Sequence, residues 1–289
     1  MKPAVVQVAP DELKQIEKLI LRNRDTISEE VKGKYESFRI RITGETVVAY
    51  TSGKIVSSGP QSDAVVQQVV RNLLGSIEEQ DVDITIGSDE AGKGEWLGPL
   101  VVAAVALTPK QSRILQSLGV MDSKEIPITR MAEIALSIRQ NCQSEKKILI
   151  APETFNKRFD ELQSEGKNLN DLLAWAHAKV ISEIYGGIPS SKKLKVVIDE
   201  FAREKTRQRL ERSIPLEDIE LIQRPRAEDD ISVAAASILA RESREDWIDR
   251  YSDRLGIDLR ELSPYEAINR SDHHSFSKIQ YLKTLTKQK

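Results

Sequence analysis

The chain contains one cysteine, Cys142. A single thiol excludes an internal disulfide framework and a zinc site built on cysteine ligands. Long apolar runs are also missing. Met1 leads into a mixed, polar segment, and no later stretch is apolar for long enough to read as a signal peptide or a membrane span. A reducing cytoplasm and no membrane association are the expectations. Excess charge is absent too, the net value being -2 over 289 residues. That excludes attachment to nucleic acid by bulk charge, so any such contact must come from local patches. No internal repeat or low-complexity tract is present. What remains is an ordinary soluble composition, 39% hydrophobic and 30% charged, long enough for two domains.

One stretch organises the rest. Residues 84–105 read ITIGSDEAGKGEWLGPLVVAAV. Ile84 and Ile86 lead into Gly87-Ser88 and two adjacent carboxylates, Asp89 and Glu90. The turn Gly92-Lys93-Gly94 follows, then Gly98-Pro99, then an apolar run to Leu107. This is the pattern of two strands joined by a glycine-rich turn. Acids at a strand end are common turn residues, but a glycine-flanked lysine beside them is less ordinary. Glycine lets a backbone approach a phosphate, and lysine supplies a point charge for it.

Before this stretch, Pro10 and the acids Asp11 and Glu12 open a helix whose inner face is Leu13, Ile16, Leu19 and Ile20. Phe38, Ile40 and Ile42 alternate with arginines as a half-buried strand. Val47 to Thr51 and Lys54 to Ser57 give two more, joined by Ser52-Gly53. Ser62 or Asp63 can cap a closing helix through Leu74. The expectation is a helix, three-strand, helix unit ending at the polar join Glu78 to Asp83.

The second unit predicts a helix near Pro109 to Leu118 and a loop at Asp122-Ser123-Lys124. A helix capped by Thr129 should run to about Cys142, placing that thiol as a buried small hydrophobe, with a strand over Lys147 to Ala151. Asn170 can cap the next helix, which Gly186-Gly187 stops. Leu194 to Asp199 is a buried strand ending in Asp199 and Glu200. Phe201 to Arg212 is a helix with five basic and two acidic residues, and Ile219 to Ile222 is a short strand. Asp229 or Asp230 precedes a long helix, Ser232 to Leu255. His273 and His274 are adjacent, so in a strand their side chains diverge and suit no shared metal. Trp96 and Trp175 read as core or rim aromatics, and the lysine-rich tail from Lys278 as a solvated segment.

Two strands thus end in acids, Asp89-Glu90 and Asp199, and a helix begins near Glu228, Asp229 and Asp230. Taken singly, each acid is most simply a solvated turn residue or a cap. A mixed sheet can bring such strand ends together, and three or four carboxylates meeting there would repel without divalent cations between them. Oxygen-only ligands suit Mg²⁺ or Mn²⁺. Two ions about 3.5–4 Å apart can activate a water and stabilise the leaving oxygen of a phosphodiester.

DEAGKGEWLGPLVVAA resembles the first active-site segment of the type 2 ribonucleases H, the ribonucleases HII and HIII. VIDEFA is similar to their second acidic strand, RAEDDISVAAASILAR to their third acidic segment and helix, and DSK to a family loop. Type HIII is the nearer resemblance, since residues 1–78 look like its TBP-like substrate-binding domain through AYTSGKIVSSG. The resemblance implies an α/β fold, a ribonuclease H-like mixed sheet with flanking helices over 82–289 preceded by a small α+β domain. It implies two metal ions, Mg²⁺ or Mn²⁺, on Asp89, Glu90, Asp199 and a fourth acid, for which R-A-E points to Glu228 and Asp229 is the rival. It implies that the backbone of Gly92, Lys93 and Gly94 reads RNA 2′-hydroxyls, with Lys93, Ser123 and Lys124 on the substrate. The activity implied is endonucleolytic hydrolysis of RNA in RNA/DNA hybrids, leaving 5′-phosphates, by a monomer with no obligate protein partner. Two rivals stay open: incision at single ribonucleotides in DNA, with Tyr251 or Tyr265 reading the junction, and a non-catalytic hybrid-binding protein.

Overall fold

The computed structural model describes residues 4–8, 10, 13–21, 26–42, 44–60, 82–120 and 126–286. It divides into two compact units, one of residues 1–81 with 109–120 and one of residues 82–108 with 121–289. No helix among the described residues is long and apolar enough to cross a membrane.

The first unit contains β1 (Ala4–Gln7), α1 (Leu13–Ile20), β2 (Thr26–Glu29), β3 (Glu36–Ile42), β4 (Glu45–Tyr50) and β5 (Lys54–Ser58). Its strands form one antiparallel sheet in the order β1-β5-β4-β3-β2. The period-2 pattern puts Phe38, Ile40 and Ile42 on the face that packs with Leu13, Ile16 and Ile20 of α1, while Arg39 and Arg41 turn away. Three of these strands are predicted by the sequence, and the two edge strands are additional. β2 shows no inward alternation, and Ile27 is 65% exposed. Helix α2 (Pro109–Ser117) clusters with this unit, through Ile114 against its core, although it lies inside the span 82–289. The closing helix expected from Ser62 to Leu74 lies outside the described residues.

The second unit is built on a five-stranded mixed sheet. Its elements are β6 (Ile84–Ala91), β7 (Leu100–Leu107), α3 (Ile128–Asn141), β8 (Ser144–Ile150), α4 (Pro152–Ser164), α5 (Leu169–Tyr185), β9 (Leu194–Asp199), α6 (Arg203–Glu211), β10 (Ile219–Arg224), α7 (Ile231–Leu255), α8 (Pro264–Ile268), α9 (His273–Phe276) and α10 (Ile279–Thr286). The strand order is β10-β9-β6-β7-β8, with β6 parallel to β9 and antiparallel to β7. Every residue of β7 is buried, as a strand covered on both faces requires. On one face, Leu173, Ala176, Val180 and Ile184 of α5 pack against Ile86, Val102, Val196 and Ile198. On the other lies the start of α7, where small residues allow close approach. A Cβ on Gly87 would sit 2.2 Å from the carbonyl carbon of Ser232 and from the nitrogen of Val233. Glycine is therefore required there for the helix to reach the sheet.

Several local expectations are corrected. Asn168, not Asn170, caps α5, in a reciprocal capping box with Asp171. Helix α3 starts at Ile128 after Pro127 with no side-chain cap, so Thr129 lies inside it. Cys142 is half-buried just past the end of α3. Helix α4 follows β8 without having been predicted. His273 and His274 lie in the short helix α9, not in a strand.

Candidate active site

The alternation of strand side chains distributes the acids. On β6, Ile84, Ile86, Ser88 and Glu90 share the face covered by α5, while Gly87 and Asp89 share the face of α7. On β9, Val196 and Ile198 join the α5 layer, and Val197 packs with Ala227 and Val233 on the α7 side. Asp199 follows Val197 by two residues and falls on that same side. Ser88 pairs with Ile198 in the parallel register, so Asp89 and Asp199 stand one residue beyond it on neighbouring strands.

Asp89 Oδ1 accepts the Glu90 backbone N–H at 2.8 Å, and Ser237 of α7 hydrogen-bonds the same carboxylate. Burial and the adjacent Glu90 charge push the Asp89 carboxyl up to about 7, with Asp199 adding to the effect. Glu90 goes the other way. Burial opposes its ionisation, but His177 and Lys93 override that and hold it below the ordinary carboxylate value. Lys93 Nζ lies 3.0 Å from Glu90 Oε1 and 5.1 Å from the centre of the Phe201 ring. His177 Nε2 lies 3.1 Å from Glu90 Oε2.

The fourth acid arrives on a 3-10 turn, Ala227–Asp229, between β10 and α7. Arg226 precedes it with φ of 57°, the one non-glycine residue in the left-handed region among the described residues. The turn is tied to β9 by the Ala227 N–H, which donates to Asp199 Oδ1 at 3.2 Å. Glu228 lines the same cleft as Asp89, Glu90 and Asp199. Asp229 is exposed and ion-paired with Arg224, whose Nη1 donates to its Oδ2 at 2.9 Å. Asp230 caps α7, accepting from the Ser232 N–H at 2.9 Å.

These four carboxylates, with Gly92 and Lys93, face an open cleft of about 540 Å³. Arg241 and Arg244 of α7 and Glu95 also line it, and none of these was singled out in the sequence. Gly92 has φ of 86°, and a Cβ there would lie 2.3 Å from the Pro99 carbonyl oxygen, so the turn closes only with glycine. Gly94 lies beside Gly92 and Lys93 in the same turn. The loop is held from behind by the C-terminal segment. Lys278, fully buried, donates from Nζ to the Gly98 carbonyl at 2.6 Å, and its N–H donates to the Trp96 carbonyl at 2.7 Å. Ser123 and Lys124 lie outside the described residues.

His177 is a further residue of the site that the sequence did not single out. It is fully buried in the middle of α5. The signal was there: it sits four residues after Leu173 and three before Val180, on the helix face that packs against the sheet. A polar side chain at that phase must find hydrogen-bond partners in the core.

As the side chains stand, no three His, Cys, Asp or Glu groups among the described residues close around a common metal position. The donor set nonetheless fits a hard divalent cation. It is all oxygen, supplied by Asp89, Glu90, Asp199 and Glu228 around one cleft.

The ribonuclease HII family model matches residues 86–286. Ribonuclease HIII of Protochlamydia amoebophila is 36% identical over 238 residues, covering 78% of this chain and 74% of that protein. Ribonuclease HIII of Chlamydia pneumoniae is 35% identical, covering 77% and 74%. Among solved structures, Bst-RNase HIII in complex with Mn²⁺ matches with a TM-score of 0.59 at 22% identity, over the whole of both chains. Aquifex aeolicus RNase H3 matches with a TM-score of 0.55 at 22% identity, over 96% of this chain and 100% of that one. The family model and these relatives agree: the chain belongs to the ribonuclease HII family, in its ribonuclease HIII group.

Proposed function

We propose that Asp89, Glu90, Asp199 and Glu228 hold two divalent cations, Mg²⁺ or Mn²⁺, at the cleft. This chain is a hydrolase that cuts the RNA strand of RNA/DNA hybrids endonucleolytically, leaving 5′-phosphate ends. The observation that carries the residue assignment is the meeting of four carboxylates from three elements, two strands and a 3-10 turn, in one cleft, with Asp89 pushed up to about 7 by burial and Glu90. The Mn²⁺ bound by the Bst protein supports Mn²⁺ as one usable ion.

When bound, such ions supply an activated water and stabilise charge on the leaving 3′-oxygen. The chain's own groups do the rest. Asp89 and Asp199 reach the cleft from the α7 side of the sheet, Glu90 from the α5 side, and Glu228 from the turn held on Asp199. Lys93 gives up its contact with Glu90 to meet a phosphate. Gly92 and Gly94 leave the backbone bare enough to read a 2′-hydroxyl, the group that separates RNA from DNA. Lys124 adds a phosphate contact, and Ser123 beside it binds the substrate. Residues 1–78 act as a TBP-like substrate-binding domain that adds affinity through shape and backbone contacts rather than sequence. The working form is a cytoplasmic monomer with no obligate protein partner.

The test is cleavage of three labelled duplexes in Mg²⁺ and in Mn²⁺: an RNA/DNA hybrid, DNA carrying one ribonucleotide, and double-stranded RNA. Multiple cuts in the hybrid, lost with chelator and in Asp89→Asn, are expected. A single cut at the lone ribonucleotide alone would shift the substrate class. The tyrosines considered for that role do not line the cleft: Tyr251 stacks on Trp247 at 4.5 Å, and Tyr265 is exposed. Binding without cutting in either metal would overturn the mechanism.

A further inference from the structure

We propose that His177 is a positioning residue that fixes which oxygen of Glu90 is offered to the cleft. The proposal rests on the reading of Glu90 as a metal ligand. A histidine in the middle of an apolar helix face is costly unless both ring nitrogens are satisfied. Here both are. Nδ1 lies 2.8 Å from Ser88 Oγ, and Nε2 lies 3.1 Å from Glu90 Oε2. Ser88 Oγ lies 2.8 Å from the Ala103 carbonyl and 2.8 Å from Nδ1, so one hydroxyl bridges strand and ring. A Glu90 carboxylate can only accept, so Nε2 carries the proton donated to Oε2, and Nδ1 meets the Ser88 hydroxyl.

Three supports hold the ring in this orientation. Its Cα belongs to α5, the Ser88 contact ties it through β6 to β7, and Phe201 packs on it with ring centres 5.0 Å apart. Ser88 and Glu90 are two residues apart on one strand, so they present to the same face and one imidazole can span them. Glu90 Oε2 is thus anchored to the sheet through a buried side chain. Oε1 instead faces Lys93, a longer and more exposed group, at 3.0 Å. His177 leaves Oε1 as the exchangeable oxygen and keeps the carboxylate from rotating. Buried partners of metal-binding carboxylates commonly act in this way.

Two conservative variants separate positioning from packing. The amide of His177→Gln reaches the place of Nε2 and can still bond Glu90. That of His177→Asn reaches only the place of Nδ1 and can still bond Ser88. His177→Leu removes both contacts. For each, the thermal midpoint, Mn²⁺ affinity by calorimetry without nucleic acid, and kcat and KM on the hybrid are measured beside Glu90→Gln. Expected is that His177→Gln keeps Mn²⁺ affinity and kcat within about threefold, while His177→Asn and His177→Leu lose about 10–100-fold in Mn²⁺ affinity. Their kcat falls while KM for the hybrid holds. Native-like Mn²⁺ affinity and turnover in His177→Asn, with Glu90→Gln impaired, would overturn the positioning role alone. So would Gln and Asn variants impaired equally and in step with their midpoints. A Glu90→Gln that binds Mn²⁺ and turns over normally would overturn the metal-ligand reading and this proposal with it.

Discussion

The Ala227 N–H donates to Asp199 Oδ1, joining the turn that carries Glu228 to the strand end that carries Asp199. One carboxylate oxygen of Asp199 is thereby committed to the backbone, and the other is left for chemistry. Asp199→Asn keeps an acceptor for Ala227 but removes the charge. The fold should survive with a near-native melting temperature. Losing several kcal/mol of charge stabilisation corresponds to a fall in kcat of roughly a thousandfold or more. Hybrid cleavage at saturating Mn²⁺, set beside a melting curve, checks both halves.

Glu228 and Asp229 are adjacent and chemically alike, yet the turn sends them to different places. Glu228→Gln should abolish most turnover. Asp229→Asn removes only an exposed ion pair with Arg224, worth about 0–1 kcal/mol, and should leave kcat within about threefold. The reverse ranking in a side-by-side assay would transfer the fourth ligand to Asp229.

Gly87 sets the distance between β6 and α7. In Gly87→Ala the new methyl meets the backbone of Ser232 and Val233, which cannot swing aside as a flexible side chain could. The helix must lift, costing about 1–3 kcal/mol or more. Because Asp89 and Ser237 face each other across that contact, the variant should lose activity as well as stability. Urea unfolding and cleavage rates on the same preparation report the two losses.

Lys278 offers a pH-dependent signature away from the acids. Burial and the nearby Arg244 charge pull its ammonium down to about 7, against a weaker opposing pull from Glu95. In the unfolded chain a lysine titrates near 10.4. Between these values the unfolded state holds the extra proton, so stability rises with pH, by up to ~1.4 kcal/mol per pH unit. Below about 7 both states are protonated, and the cost of the buried charge is fully present. Lys278→Met lacks this dependence. The stability of the native protein relative to that variant should therefore increase from pH 7.5 to 9.5, measured by urea unfolding at each pH.

Much of the catalytic unit was legible because its signals are local. LKVVID is a buried run that ends in acids, and it forms a strand over those same residues. The Asp89-Glu90 pair and the small-residue start of α7 likewise declare themselves by position. What escaped depends on contacts between distant segments. β2 has an outward Ile27 and little alternation, so only its pairing with β3 makes it a strand. Helix α2 reads as part of the second unit by sequence order, yet Ile114 packs with the first. His177 looked like one more residue on an apolar helix, because the partners that explain it, Ser88 and Glu90, lie far away in the chain. That Glu228 rather than Asp229 lines the cleft depends on a turn opened by a left-handed residue, Arg226, whose side chain carries no preference for that conformation.

Asp89 and Glu90 are neighbours in sequence but emerge on opposite sides of the sheet, one governed by α7 and the other by α5. Substitutions in α5 therefore reach Glu90 first and those in α7 reach Asp89 first, with the Glu90 charge carrying part of any change across to Asp89. The pair thus has two points of entry, and a library that varies α5 alone or α7 alone would approach it from opposite faces of the sheet.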